Sequence, residues 1–441
     1  MKNKKIIFIV LAVLIIIAIL ATVIVKKNAN GGKKKETENI ESFETQDMSV
    51  NIGKVATAGK YLIVEYDVEM KDVENTLFSD ATDYIDGFDY KVQRELRIDG
   101  SKILSVDDEN QQIAYKKSDT QARIYDVVDL SNVNLNDNYN LEVNFFDFGS
   151  SEATVKDEDT DEESDDITDG DEQTIVSNSG LEEIGTLKLN LNKAETDKEA
   201  TLVENTSSYD QDNITMRAEC EIQMASAKFL IVNTETKATE EDYTRQEFDI
   251  NVQDEKGNTL DVNKAQDIVF NTEDESSMKL QVKTIFAFIG ENKDLKNVKL
   301  QAYIYNIENS NDSKNKTWYS LENQVYTGSN SYNGNVKVTR IEIDDATVSF
   351  YFTRTGFVPA EDQIILARNS KNQTEYIVPD KLEKIATNQY VATFYVLSIA
   401  DDDEEKDEFA TSSLLGTKNA EFTIFENKPS KIFGEGFTVE I

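Results

Sequence analysis

The hydrophobic residues of this chain follow two patterns, one continuous and one alternating. Ile6–Val25 is a run of 20 residues without a charge, Gly or Pro, and 16 of them are Ile, Leu, Val or Phe. A helix of that length spans roughly 30 Å, the thickness of the hydrocarbon core of a bilayer. Beyond this run, apolar residues alternate with polar ones in short segments, which is the period of half-buried β-strands. The pattern predicts a single transmembrane helix followed by a β-rich chain.

The flanks of Ile6–Val25 bear on its processing and orientation. A cleaved signal peptide is the alternative, but its apolar core normally has about 7–15 residues and ends at a small-x-small site. Cleavage after Ala21 would place Ile19 at the −3 position, so we predict an uncleaved anchor. The downstream lysines alone favour a cytoplasmic C-terminus, but long domains cross membranes largely regardless of flanking charge. We predict a cytoplasmic tail at 1–5, contact of Ile6–Val25 with the lipid bilayer, and a cell-membrane location with the C-terminal domains outside.

The chain beyond the anchor predicts a stalk and then a succession of strands. Residues 26–47 are basic and polar without an apolar period, which is typical of a flexible stalk. From Met48 onward, segments rich in β-formers are separated by turn signals such as Asp99-Gly100. Only Asp380–Ala386 is a candidate short helix, so the predicted fold class is all-β. In the first region the predicted strands are Tyr61–Met70, Leu96–Ile98, Ile103–Val106, Gln111–Tyr115, Ala122–Val128, Tyr139–Phe148 and Ile184–Leu191.

A repeated order of strands divides the β-region into three parts. A strand pair opens each part, at Val50–Met70, Asn213–Glu235 and Asn335–Gly356, and a short strand with a polar turn follows before longer strands. Such self-similarity is the signature of repeated units, with chance similarity among β-sequences as the alternative. Two or three β-sandwiches follow from this order, each with its sheets about 10 Å apart. The predicted domains are 48–200, 201–330 and 331–441.

An acidic segment interrupts the first predicted domain. Asp157–Glu172 contains 11 acidic residues and no basic one, so it repels itself and lacks the apolar residues needed for packing. We therefore predict a disordered acidic loop at 149–180. A calcium loop fits poorly, because aligning Gly170 with the turn glycine places Val176 where a bidentate acid belongs. Weak attraction of divalent cations by this loop stays open.

Charge and composition exclude several classes of function. The chain has 46 basic and 84 acidic residues and a formal net charge of −38. Such a surface repels nucleic acid, so we predict no nucleic-acid partner. The chain has no His and one Cys, Cys220, which excludes Ser-His and Cys-His catalysis, His-ligated metals and intramolecular disulfides. Few Cys with many Lys, Asn and Ile is typical of surface proteins of Gram-positive bacteria.

The sequence gives only weak signals for individual reactive or catalytic residues. Cys220 lies in an alternating strand, so we expect a buried structural thiol. Ser276–Lys279 and Ser313–Lys316 match S-x-x-K, but neither opens a convincing helix, and Trp318 is expected in the core. Catalysis by carboxylates alone and a Lys–Asn crosslink beside a buried acid remain alternatives, although spacing selects no residues for either. We predict a non-enzyme with no catalytic, cofactor-binding or metal-binding residues and no cofactor.

The first predicted domain resembles a known group of proteins. The order of anchor, basic flank, Val50–Met70, an Asp-Gly turn, Asn138–Gly149 and Ile184–Leu191 resembles the extracytoplasmic Ig-like domains of Gram-positive membrane-anchored anti-sigma-factor-like proteins of unknown function. The resemblance covers about residues 48–200 and implies Ig-like sandwiches outside the membrane. Those anti-sigma factors carry a cytoplasmic sigma-binding domain before the anchor. Only Met1–Lys5 precedes it here, so we do not expect sigma-factor sequestration by this chain.

These patterns predict a membrane-anchored cell-surface protein with a non-catalytic binding or structural β-sandwich ectodomain and an unidentified protein partner at the cell surface. An extracytoplasmic sensor or signalling ectodomain acting with a membrane partner is the alternative. A carboxylate-dependent hydrolase is the second alternative, and it would need two carboxylates about 5–10 Å apart in a cleft.

Overall fold

The structure is a computed structural model whose described residues are almost entirely β-strand. Contacts divide the chain into Met1–Asn39 and Ile40–Ile441, and all described residues except Asn39 belong to the second unit. No helix among them has the length and hydrophobicity needed to cross a bilayer; the predicted anchor Ile6–Val25 and the predicted loop 149–180 lie outside them. The described residues are 39–46, 48–71, 92–105, 112–118, 120–147, 182–211, 213–238, 246–274, 277–306, 317–321, 326–329, 334–344, 346–356, 365–369, 377, 379–396, 414, 420–424 and 431–441.

The first sandwich packs two sheets, A and B, face to face. Its strands are β1 (Ser42–Glu44), β2 (Met48–Ala58), β3 (Tyr61–Met70), β4 (Val92–Ile98), β5 (Ser101–Leu104), β6 (Gln112–Ser118), β7 (Gln121–Asp129), β8 (Asn138–Asp147) and β9 (Glu182–Asn192). Sheet B has the order β1-β2-β3-β7-β6 and sheet A the order β5-β4-β8-β9. Alternate residues of each strand, such as Leu62, Val64 and Leu96, fill the core between the sheets.

The segment before Met48, which the sequence assigned to the stalk, joins this sandwich. β1 pairs with β2, and Ile40 forms a bridge with Lys188 of β9, so the segment runs along the edges of both sheets. Phe43 packs against Phe145 with ring centroids 5.2 Å apart. The polar composition concealed this contact, because Ile40 and Phe43 are isolated apolar residues without a strand period.

The second sandwich follows a four-residue helix, α1 (Lys193–Thr196). Its strands are β10 (Ala200–Glu204), β11 (Ser208–Gln211), β12 (Ile214–Met224), β13 (Ala227–Ala238), β14 (Gln246–Gln253), β15 (Asn263–Asp274), β16 (Ser277–Ile289) and β17 (Asn297–Asn306). Sheet C has the order β10-β12-β13-β16-β15, and β11 also pairs with β12. Sheet D contains β14 and β17. A 3-10 helix, Gly290–Asp294, connects β16 to β17.

The third sandwich is inserted between strands of the second. Its strands are β18 (Tyr319–Ser320), β19 (Tyr326–Ser329), β20 (Asn335–Ile343), β21 (Thr347–Thr355), β22 (Ile365–Asn369), β23 (Lys381–Ala386), β24 (Gln389–Tyr395) and β25 (Ala420–Ile424). Sheet F has the order β19-β20-β21-β24-β23 and sheet E the order β18-β25-β22. The chain then returns to sheet D, where β26 (Lys431–Ile432) and β27 (Phe437–Glu440) pair with β17.

Two sequence expectations change as a result. The predicted domain 331–441 ends in β26 and β27, which pair with the second sandwich because Phe433, Val439 and Ile441 fill its core. The short helix expected at Asp380–Ala386 is wrong, because Lys381–Ala386 is β23, one arm of a hairpin with β24. Asn388 closes that hairpin with a φ of 57°, a left-handed conformation that Asn tolerates.

The prediction of a mostly β fold is confirmed by six antiparallel sheets among the described residues, and the three large sheets share one strand order. In each, the strand that opens the predicted pair carries a β-bulge against the next: between Ile52 and Val55 in β2, Ala218 and Cys220 in β12, and Val338 and Arg340 in β20. A bulge adds local twist and bends its strand. The repeated pattern in the sequence therefore corresponds to a repeated sheet geometry.

Candidate functional site on sheet C

Sheets B and C pack against each other through an apolar interface. Strands such as β3 bury both faces: Leu62 and Val64 point into the first core, while Tyr61 and Ile63 point toward sheet C. The first two sandwiches therefore form a block of four layers, in the order A, B, C, D. The interface cluster comprises Ala56, Ala58, Tyr61, Ile63, Ile113, Tyr125, Val127, Ala200, Cys220, Ile222, Met224, Ala227, Phe229, Ile231, Ala265, Ile285, Ala287 and Ile289.

Helix α1 contacts the first sandwich beside this interface. The Thr57 and Thr196 hydroxyl oxygens lie 2.9 Å apart, and the hydroxyl of Tyr139 donates to Thr196 at 3.3 Å. Thr57 is on β2 and Tyr139 on β8, so the linker between the sandwiches contacts both sheets of the first. Apolar burial and these hydrogen bonds join the two sandwiches as neighbouring parts of one block.

A network of charged residues lies at the rim of the interface between sheets B and C. Lys60 pairs with Glu219 at 2.9 Å and Asp129 at 3.3 Å, and Lys283 pairs with Asp129 at 3.1 Å. The Tyr61 ring lies between the two ammonium groups, 5.2 Å from Lys60 and 5.0 Å from Lys283. The network connects sheet B to sheet C with paired charges.

These contacts set the protonation states of the rim. Partial burial acts to raise the pKa of Asp129, but hydrogen bonds from Ser131 and the Lys283 ammonium outweigh it and lower that pKa to about 2. Burial also acts to raise the pKa of Glu219, but hydrogen bonds from the Lys60 ammonium and the Asn233 side chain outweigh it and lower that pKa. Both carboxylates are therefore ionised at neutral pH.

A polar groove of about 490 Å³ lies on sheet C beyond this rim. Sheet B covers one end of the sheet C face, and the groove occupies the uncovered end. Two rows of cross-strand neighbours form its floor: Thr215, Glu235, Gln281 and Val269 in one, and Arg217, Asn233, Lys283 and Asp267 in the other.

The outer lip of the groove is an edge strand with exposed apolar side chains. β15 is the last strand of sheet C, and its Ile268 and Val269 are 42% and 45% exposed. At the start of β15, the Asn263 side chain donates to the Ala114 carbonyl of β6 at 2.8 Å. The segment Gln266–Asn271 contains no Lys or Pro, the residues that usually protect sheet edges from further pairing.

The groove is lined by polar groups of both charges. Its lining contains two cationic side chains, two carboxylates, amides and hydroxyls, which suit a polar polypeptide. The Lys279 ammonium, 2.5 Å from Glu235, lowers the pKa of that carboxyl. Glu235 is therefore an anion in the groove at neutral pH.

None of the described residues that the sequence singled out lines the groove. Cys220 is buried in the interface cluster, and burial raises the pKa of its thiol to about 11, as expected for a structural cysteine. Lys279 lies in strand β16, where an S-x-x-K motif lacks its helix, while Ser276 and Ser313–Lys316 are outside the described residues. Trp318 is half-buried under the Arg368 guanidinium, 4.3 Å from the ring centroid.

Sequence reasoning missed the groove, although one signal pointed to it. Tyr61–Val64 and Phe229–Val232 are continuous apolar runs, which is the pattern of strands buried on both faces. In contrast, Asn233–Lys237 on β13 contains only polar residues. The change from an apolar run to polar residues within one strand marks the line where the cover of sheet B ends.

The described residues hold no group of three or more acidic or Cys side chains arranged to bind a metal ion.

Comparisons with known proteins give only distant structural likeness. No family model matches the chain, and no curated protein is significantly similar to it. A conserved domain protein from Bacillus anthracis, known from its crystal structure, is 12% identical with a TM-score of 0.26, and the match covers 69% of this chain and 88% of that one. A likeness at that TM-score carries no argument about function.

Proposed function

We propose that this chain is a single-pass cell-surface protein whose β-sandwiches lie outside the membrane and bind a protein partner without catalysis. The apolar run Ile6–Val25 supports the anchor. The observation that carries the binding role is the groove on sheet C, which is lined by the exposed Val269 of edge strand β15.

The partner that fits this site is an extended polypeptide segment from a basic protein. An unpaired sheet edge offers main-chain hydrogen bonds to an added strand, and the adjoining groove receives alternate side chains. A basic partner follows from charge complementarity, because the chain has a formal net charge of −38. Ig-like sandwiches, as in the extracytoplasmic domains that the first region resembles, would place such edges away from the membrane.

The membrane side of the proposal is tested by protease treatment of intact cells followed by mass spectrometry. We expect peptides from residues 48–441 to be released before lysis, together with those of a known surface protein and without those of a cytoplasmic one. Release of these peptides only after lysis would show that the domains face the cytoplasm.

The binding side is tested by placing a photoreactive phenylalanine at Val269 in the full chain on cells. We expect a crosslinked product of discrete mass that is lost when Ile268→Lys is added, because lysine disfavours further pairing at a sheet edge. Tyr395, which is 53% exposed on the third sandwich, is the matched control position. Equal crosslinking from both positions, or no loss with Ile268→Lys, contradicts the proposed site.

A further inference from the structure

The contact between the second and third sandwiches differs in kind from the contact between the first two. Among the described residues, the apolar clusters of the second and third sandwiches share no member. Polar contacts join them instead: the Thr259 amide donates to the Gly356 carbonyl at 2.9 Å, and the Gly356 amide donates to the Asn258 side chain at 2.9 Å.

A cluster of charged groups lies at the centre of this contact. Asp261 of the second sandwich accepts from the Arg354 guanidinium at 3.2 Å and from the Tyr390 hydroxyl, and both residues belong to the third sandwich. The side chains of Asp261 and Arg354 are each only 5% exposed. Lys384 reaches Asp261 at 3.5 Å and Glu291 at 2.8 Å. We call these five residues the charged joint.

The chain path allows this contact to open without unfolding a sheet. The chain leaves sheet D after Asn306 and re-enters it at Lys431, and Ile304 is the cross-strand partner of Lys431. Both connections to the third sandwich therefore start from one edge of sheet D. Rotation of the third sandwich about that edge would break the charged joint but no strand pair.

From these relationships we propose that the charged joint is a releasable contact, which opens as a unit and lets the third sandwich move relative to the four-layer block. A buried ion pair contributes little net stability, because water solvates the separated charges well. Water does not solvate apolar side chains in this way, so opening the apolar interface between sheets B and C would not be compensated. The inference stands independently of whether the groove binds a partner.

The test measures the distance between spin labels on the full chain in lipid nanodiscs. Val203→Cys on sheet C and Ile343→Cys on sheet F provide labels at exposed positions, and the buried Cys220 stays unlabelled. With the joint intact we expect one narrow distance distribution. Asp261→Asn with Glu291→Gln removes the negative charges and leaves Arg354 uncompensated, so we expect a broad distribution shifted to other distances.

A matched control is Glu342→Gln with Glu383→Gln, which makes the same charge change in ion pairs confined to the third sandwich. The control should keep the narrow distribution, and hydrogen exchange should show protected β20 and β21 in every variant. An unchanged distribution in the joint variant overturns the proposal. So does broadening accompanied by loss of protection in β20 and β21, because the joint would then be part of the folded core.

Discussion

The guanidinium of Arg94 is paired with the carboxylate of Asp126 across the interior of the first sandwich, and both residues are fully buried. Arg94 lies on β4 of sheet A and Asp126 on β7 of sheet B. The Nε of Arg94 donates to Oδ1 at 2.9 Å, and the Tyr66 hydroxyl donates to Oδ2 at 2.9 Å. The pair therefore connects the two sheets through groups that have no access to water.

Removing one partner of this pair should be costly. Asp126→Asn leaves the Arg94 charge buried without compensation, so we expect a loss of about 3–5 kcal/mol in the unfolding free energy of the first sandwich. Replacing both, as Arg94→Met with Asp126→Leu, should recover most of that loss. Hydrogen exchange of β3 amides measures the unfolding free energy of the single and the double variant. The control is Asp67→Asn in the partly exposed pair with Arg123, which should cost less than about 1 kcal/mol.

Gly185 is expected to be required only while Phe43 is present. A Cβ on Gly185 would lie 2.3 Å from the Phe43 ring, so Gly185→Ala should expel the ring and cost about 1–3 kcal/mol. In a Phe43→Ala background the same substitution should be neutral or stabilising, because Ala loses less backbone entropy than Gly in a strand. A double-mutant cycle by urea denaturation measures the coupling, and additive effects would contradict the contact.

Phe229 should support the first and second sandwiches together. It is fully buried in the interface cluster and meets Tyr125 of sheet B with ring centroids 5.3 Å apart. Phe229→Ala should cost about 3–5 kcal/mol and reduce hydrogen-exchange protection in both β3 and β13. Phe350→Ala, an equally buried change in the third sandwich, is the control. Loss confined to β13 would mean that the sandwiches are not coupled through this cluster.

From the ionised Asp129 at the rim of the interface, we predict that the folded chain loses stability at acidic pH. The pKa of Asp129 is about 2 in the folded chain against an ordinary value of 3.8. Its contribution is therefore present above about pH 4 and is lost as the pH falls through about 2. The side chain is 28% exposed, which limits the contribution to about 2 kcal/mol. Asp129→Asn should reduce the change with pH of the unfolding free energy, measured by urea denaturation between these pH values. Asp137→Asn, at an exposed position, should leave that pH dependence unchanged.

Cys220 should be inert while the block is folded. Its thiol is buried, and burial raises its pKa to about 11, so very little thiolate exists at pH 8. We expect iodoacetamide to leave Cys220 unmodified for hours at that pH and to alkylate it quickly in urea. An exposed cysteine from Val203→Cys controls for reagent activity, and fast labelling of native Cys220 would show that the interface opens.

Local sequence patterns predicted many of the strands. Tyr61–Met70 was predicted as a strand with the bounds that β3 has, and the strands expected near Ala122–Val128 and Ile184–Leu191 correspond to β7 and β9. Period-two alternation and turn residues are properties of neighbouring residues, so they can be read without the fold. The absence of His and the negative charge likewise needed only composition.

The tertiary structure alone decided which strands meet and where the polar groove lies. The sequence shows that Tyr61–Val64 is apolar on both faces, but not that its second face packs against Phe229 on another sandwich. It also could not place β27 beside β17, more than a hundred residues earlier in the chain, or Asp261 beside Arg354. Hydrophobic burial is non-directional, so a pattern specifies which residues must be covered. What covers them depends on long-range pairing and shape, which exist only in the folded chain.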